Sequence, residues 1–374
     1  MDAAGPTVAA ERFRHIHEIA VVRGGGLGDL LLVEPAIRAL AAGYPQARIR
    51  LLGSPVHARL WADRPGPVSA VDVLPVQRGL REGPADPGGY ADFLRRMTGI
   101  GFDLAVQLHG GGRYSNPFVL QLGARHTVGM ATPEAPRLER TLPYVVHQHE
   151  IHRSLEVVAL AGAAPATCEP EVRVTAAELA GGGGLLPPGS GPVLAMHAGA
   201  TDPRRRWPVA RFAEVARHIL RAGWRVVLVG DASDHALALA VLEGARRGLS
   251  TRARGRIVST AGRLDLSELV SLLLRSDVLL ANDSGPRHLA QAIGVPTVGL
   301  YWVGNFLTAG PLTRSRHRVR VAWATRCAGC GLGGSTVRMP DCPHEGTLLG
   351  EIPVAPVLAD VRALMATTRP PRGR

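Results

Sequence analysis

The sequence predicts an α/β protein with two parallel-sheet domains, and three observations carry that expectation. Short β-rich runs alternate with helix-length segments along most of the chain, the order that produces parallel sheets covered by helices. The Gly/Pro-rich stretch "ELAGGGGLLPPGSGP" at 178–192 interrupts the alternation in mid-chain and reads as an interdomain linker. The segment "RIRLLGSPVHA" at 48–58 is echoed by "RVVLVGDASDHA" at 225–236, one strand-to-loop element used twice. A chain of 374 residues is also long for a single core. The expected division is 1–185 for the first domain and 192–345 for the second. A helix and basic tail at 346–374 are expected to pack back across the domains.

Taken in order, strands are expected near 16–23, 48–53, 71–76, 102–108 and 126–130, with helices at 36–42 and 90–97 between them. Pro35 suits the first turn of a helix, so residues 29–33 are expected to form a separate turn or a kink. The second series runs strand 193–196, helix 209–221, strand 225–229, helix 234–246 and strand 256–259. It continues with helix 266–275, strand 278–281, helix 287–293 and strand 297–301, and helix 353–365 closes the chain. Two similar α/β domains joined by a linker imply a cleft where strand C-termini meet a ligand.

Composition narrows the function. The hydrophobic share of 46% is ordinary for a globular protein, and no run approaches the roughly 18 apolar residues of a membrane span. The first twenty residues lack a signal-peptide pattern, so a cytoplasmic location is expected. All 43 side chains counted as Lys or Arg are arginine, which excludes a P-loop lysine and Schiff-base chemistry. The net charge of +12 favours anionic partners. With only 4% aromatic residues and no basic run with interleaved rings, nucleic acid is not expected as a partner. The tail "TTRPPRGR" is expected to be a disordered end.

The glycine turn in "VVRGGGLGDLLLVEPAIRAL" at 21–40 resembles a phosphate loop but fails its tests. A dinucleotide fingerprint counted from Gly24 would place its third glycine on Asp29, and no acid follows the next strand. A carboxylate in the first helical turn repels phosphate and is better suited to taking a proton. The plain alternative is a helix-start acid favoured by the macrodipole, worth roughly 0.3–1 kcal/mol.

The second half carries two anion loops. In "MHAGATDPRRRWPVARF" at 196–212, Gly199 and Thr201 allow close backbone approach, and Arg204, Arg205 and Arg206 can fork onto phosphate oxygens. A solvated basic loop is the alternative. In "LLANDSGPRHLAQAIGVPTVGLYW" at 279–302, a buried-type strand runs into Asp283, Ser284, Gly285 and Pro286, and a helix follows at once. Its free N–H groups and the Ser284 hydroxyl make an anion site. Asp283 suits a sugar hydroxyl, and His288 lies a turn further on. An aspartate cap with a packed histidine is the alternative.

These segments together resemble glycosyltransferase family 9, the ADP-heptose:lipopolysaccharide heptosyltransferases. The resemblance spans about 16–303, and D-S-G-x-x-H is its most specific part. It implies a GT-B fold, with two Rossmann-like domains facing across a cleft, and an inverting transfer from an ADP-heptose-type donor without catalytic metal or other cofactor. By the same resemblance Asp29 matches the catalytic base of an L-G-D motif. Arg205 stands where the family has a lysine before W-P, and Asp234 where it has a glutamate meeting the nucleoside. Asp283, Ser284, Gly285 and His288 match the donor motif, with Thr201 and Arg206 beside them.

An anionic glycan or glycolipid acceptor, such as the lipopolysaccharide core, is expected to meet Gly28, His109 and Arg113, and more remotely Arg137 and Arg140. Peripheral contact with the inner membrane face is part of this expectation. A transferase using another nucleotide sugar, a sugar-nucleotide epimerase and a non-catalytic binder are the competing readings. Finally, "RCAGCGLGGSTVRMPDCPH" offers Cys327, Cys330, Cys342 and His344 as a closed structural zinc or iron site. Free thiols or a disulfide are the alternatives there.

Overall fold

The computed structural model describes residues 10–84, 86–326, 331 and 346–368. The chain divides into two compact units, Met1–Pro170 and Glu171–Arg374. The first contains β1 (Glu18–Val22), α1 (Leu27–Gly43), β2 (Arg48–Gly53), α2 (Pro55–Trp61), β3 (Ala70–Val73) and α3 (Pro87–Thr98). It continues with β4 (Leu104–Gln107), α4 (Ser115–Gln121), β5 (His126–Ala131), β6 (Arg140–Pro143) and α5 (Glu150–Leu160). The second contains α6 (Ala176–Ala180), β7 (Val193–His197), α7 (Val209–Arg221), β8 (Arg225–Leu228), α8 (His235–Arg246), α9 (Thr251–Arg254) and β9 (Ile257–Ser259). After these come α10 (Leu266–Leu274), β10 (Val278–Asn282), α11 (Gly285–Ala292), β11 (Thr297–Trp302), α12 (Val303–Ala309), β12 (His317–Ala322) and α13 (Val354–Thr368).

Each unit holds a six-stranded, wholly parallel sheet, ordered β3-β2-β1-β4-β5-β6 in the first and β12-β11-β10-β7-β8-β9 in the second. Renumbered within its unit, the second order is the first read backwards. Both are therefore doubly wound sheets whose strand order reverses between the first and fourth strands, where the C-terminal strand ends open a crevice. The central strands are buried on both faces: β4, β7, β10 and β11 expose no residue. Such strands read as continuous apolar runs, which is why the sequence showed them clearly.

The edges were harder to read. β6 is "RTLP", short and ended by a proline that only an edge strand tolerates. β12 is "HRVRVA", its arginines alternating on a half-covered edge. Neither was expected, and neither was α5. The expected break at 29–33 is also absent. α1 runs unbroken through Pro35, and Leu30 to Ile37 are all buried. Packing of this face, including against α5, outweighs the hydrogen bond that proline forfeits.

The glycine-rich stretch is not the linker. The units change at Pro170, and residues 176–182 already belong to the second unit. There α6 packs on α10, and Arg275 donates to the carbonyls of Leu179 (2.7 Å) and Gly181 (3.2 Å). Composition signalled flexibility, but α10 supplies a partner for the backbone. The last helix, α13, packs against α7, β10 and β11 of the second unit.

Candidate active site

The crevice of the first unit lies where the loops after β1 and β4 meet. Gly24 N–H donates to His109 Nδ1 (3.1 Å), whose Nε2–H donates to Gly79 O (2.9 Å). On the other side Ser54 N–H donates to His57 Nδ1 (3.1 Å), and His57 Nε2–H donates to Gly26 O (3.0 Å). Two histidines thus staple the glycine turn from both flanks. The turn itself must be glycine: Gly25 has φ +92, and a Cβ there would sit 2.4 Å from Asp29 Oδ2. A Cβ on Gly24 would meet Leu80 O at 2.5 Å.

Asp29, in the first turn of α1, is clamped at both oxygens and still 48% exposed. Its Oδ2 accepts from Gly26 N (2.8 Å) and its Oδ1 from Arg23 Nη2 (2.8 Å). Gly28 beside it is half-buried.

Burial pushes the pKa of His57 down and that of His109 to about 4, with the Arg23 charge acting in the same direction. Buried His317 is likewise lowered to about 4. Unfolded histidines titrate near 6.5. Between about pH 6.5 and 4 the unfolded chain therefore binds protons that the folded chain refuses, and stability falls as pH drops through that window. The carboxylates held below their ordinary range, including Asp103, Asp234 and Asp283, add their loss only below about pH 4. Urea midpoints measured from pH 7.5 to 4.5 should decline steadily, and a flat profile would contradict buried neutral rings.

The second unit repeats the construction with different chemistry. His197, at the end of β7 and 4% exposed, spans two loops: Nδ1 meets Ser284 Oγ (2.9 Å) and Nε2 meets Asp234 Oδ2 (2.9 Å). Asp234 also accepts from Asp231 N (3.2 Å). Burial would raise its pKa, but the His197 hydrogen bond and charge hold it below the ordinary range. The echo noticed in the sequence is thus structural. In "GSPVH" and "GDASD" the last residue reaches back to a backbone N–H at the loop's start and across to the first strand-to-helix turn of its own unit. His57 does so in one unit at Gly26 O, and Asp234 in the other at His197, the last residue of β7. A Cβ on Gly199 would lie 1.9 Å from Asp234 Oδ1, so this approach requires glycine.

The arginine loop is tied down around Trp207. Its backbone N–H donates to Asn282 Oδ1 (3.0 Å), and Asn282 Nδ2 donates to Ala198 O (2.8 Å). Arg204 is spent on Asp202, with Nη2 to Oδ2 at 2.9 Å. Arg206 Nε donates to Ala200 O (2.9 Å). Arg205 lies 3.7 Å from Asp202 and is 30% exposed, and Thr201 is exposed.

Ser284 N-caps α11, and Arg205 is among the charges acting on Asp283. Asp283 turns inward: Oδ1 meets His288 Nε2 (3.0 Å) and Oδ2 accepts from Asn305 Nδ2 (2.9 Å). Burial would raise its pKa, and His288, Arg287 and Arg205 together hold it low.

Some expected acceptor residues are corrected. His109 has both nitrogens taken up by backbone groups, so it builds the turn rather than facing a ligand. Arg140 starts β6, an edge strand two strands away from β4, donating to Glu11 O (2.9 Å) and Leu160 O (2.6 Å) and lying over Phe13 at 3.9 Å. Arg113 is exposed after β4 and lies over Tyr114 (5.5 Å), as does Arg78 (5.3 Å). Arg137 is exposed. Cys327, Cys330, Cys342 and His344 lie outside the described residues. Among the described residues no group of three or more His, Cys, Asp or Glu is placed to hold a metal, and no helix is long and apolar enough to cross a membrane.

Sequence reasoning missed Arg23, Glu150, His57, His197 and Asn282. The echo marked His57, and the lone charge ending the apolar β1 run marked Arg23. Asn282, inside a strand, carried no such signal.

The family model described as glycosyltransferase family 9 (heptosyltransferase) matches residues 91–330, more than half of the chain. The chain belongs to glycosyltransferase family 9. It is 32% identical over 131 residues to lipopolysaccharide heptosyltransferase 2 of Escherichia coli, an alignment covering 35% of this chain and 36% of that protein. The match therefore spans about a third of that relative's length. A longer match, 24% identical and covering 83% of this chain and 85% of the other, is to lipopolysaccharide heptosyltransferase 1 of Pseudomonas aeruginosa. Among solved structures, E. coli ADP-heptose lps heptosyltransferase II superposes with TM-score 0.72 at 22% identity, covering 94% of this chain and 99% of that one. The two doubly wound units are those of a GT-B fold.

Proposed function

We propose that this family 9 protein is an inverting glycosyltransferase. It moves a heptose, or a related sugar, from an ADP-heptose-type donor to a hydroxyl of an anionic glycan such as the lipopolysaccharide core. The observation that carries the reading is the division of chemistry between two equivalent crevices. One presents a clamped, half-exposed carboxylate, and the other presents arginine and helix-start donors.

Asp29 takes the acceptor proton as the hydroxyl attacks the anomeric carbon. Arg205, Thr201, Arg206 and the α11 start at Ser284–Gly285 stabilise the leaving nucleoside diphosphate by preorganised positive potential. Asp283 and His288 hold that helix start in place, and the pair 9% and 5% exposed offers only its rim to a sugar. Asp234, turned to His197, anchors the Ser284 hydroxyl from behind. Arg113 and Arg78 supply charge for the acceptor. Contact with the inner membrane face belongs to the same reading, supported by exposed Val145 and Val146 and by the net charge of +12.

Replacing Arg205 by alanine should weaken nucleoside diphosphate and donor alike by about 10- to 100-fold, as expected for a lost charge-assisted contact, and calorimetry reads this directly. Unchanged affinity would move the diphosphate elsewhere. Thermal shifts with a panel of ADP- and UDP-sugars identify the donor. Release of nucleoside diphosphate should require acceptor; donor conversion without it would mean an epimerase.

A further inference from the structure

Arg23, the residue directly after β1, has a guanidinium only 6% exposed, and sheet packing does not call for it. Burying such a charge costs several kcal/mol unless its N–H groups are met. Here three elements meet the two Nη groups, while Nε is buried without a hydrogen-bond partner. Nη2 donates to Asp29 Oδ1 (2.8 Å), while Nη1 donates to Leu108 O (2.7 Å) and lies 3.4 Å from Glu150 Oε2.

Glu150, opening α5, is in turn bonded by Arg153 Nη1. Arg153 is 2% exposed, and its Nη2 donates to Val145 O (2.6 Å) and Gln148 O (2.8 Å). Charges therefore alternate along Asp29, Arg23, Glu150 and Arg153. Burial alone would lower the Arg23 pKa, but Asp29 and Glu150 hold it above the ordinary arginine value. The other titratable groups facing this chain are His57 from α2, His109 after β4 and Tyr144 after β6, and both histidines are held neutral.

We propose that Arg23, backed by Glu150 and Arg153, is the positioning residue that orients the Asp29 carboxylate for proton abstraction. The inference rests on the reading of Asp29 as the base. A carboxylate has about four lone-pair sites. Arg23 takes one on Oδ1 and Gly26 N–H takes one on Oδ2, so the group cannot rotate and its remaining lone pairs stay on the exposed side. Glu150 shares the charge of Arg23, so the clamp orients Asp29 without fully neutralising it.

The test compares R23Q, R23K, E150Q and D29N by kcat, donor affinity and melting temperature. R23Q should lower kcat by about 100-fold with donor affinity unchanged, the cost of losing orientation rather than binding. R23K should recover about a tenth of the lost rate at most, because an ammonium cannot span the same three acceptors. E150Q should slow turnover by about tenfold. R23Q/D29N should be no slower than D29N alone, since both act on one group.

A folded R23Q with normal kcat overturns the proposal, as does a loss that adds in full to that of D29N. A fall in kcat that only tracks the unfolded fraction assigns Arg23 to fold stability and overturns it too. Should R23Q fail to fold, normal kcat in both R23K and E150Q has the same force. If D29N itself retains turnover, the base is wrongly assigned, and that result is distinct from the others.

Discussion

Replacing Asp29 by asparagine lowers turnover by about 10²- to 10⁴-fold, the range for losing a general base, while donor affinity changes by less than about twofold. The asymmetry follows from where the residue sits. Asp29 belongs to the first unit's crevice, and the diphosphate contacts proposed above belong to the second unit, so a group that acts only in the transition state should move kcat and leave ground-state binding alone. Asparagine keeps one acceptor oxygen, enough for Arg23 or Gly26 but not for both, and the turn is still held by His109 and His57. Single-turnover kinetics and donor titration read the two quantities separately. A parallel fall in both would mean that Asp29 binds donor, and the assignment of roles to the two crevices would collapse.

Replacing Trp207 by alanine costs about 3–5 kcal/mol and lowers the melting temperature by about 10 °C. Its ring is 1% exposed, meets Phe212 edge-on at 5.1 Å and donates from Nε1 to Ile352 O at 2.9 Å. Removing it opens a cavity between the arginine loop and the segment leading into α13. Phenylalanine at this position should recover most of the packing and lose chiefly the Nε1 bond, about 1 kcal/mol. The loop beside Arg205 is pinned through the same residue, so nucleoside diphosphate affinity should fall in W207A even at temperatures where the protein is folded. Calorimetric melting and titration at 15 °C check both parts, and a near-normal melting point would show that the ring is not a core member.

Both crevices were partly legible beforehand because their outward-facing groups belong to short local patterns. Asp29 stood where a phosphate loop should have had glycine, and Arg205, Ser284 and Gly285 sat at strand-to-helix turns. The groups behind them were not legible. Arg23 reaches Glu150 across 127 positions and His197 reaches Ser284 across 87, and only the doubly wound strand order makes these neighbours. The same cause misplaced His109, which read as a cleft-facing ligand but closes the turn of a strand adjacent only in space.

What the chain order determined by itself was the alternation of apolar runs and helices, hence two parallel sheets, and the glycine turns that must end particular strands, because local sterics and periodicity leave little choice there. What only tertiary structure decided was partnership. It settled that α1 continues through Pro35, that the glycine-rich stretch lies against α10, and that buried Arg23 and His197 serve the crevices. Burial and pairing of polar groups depend on which distant segments the sheet order brings together, and that is a property of the assembled fold, not of any short stretch.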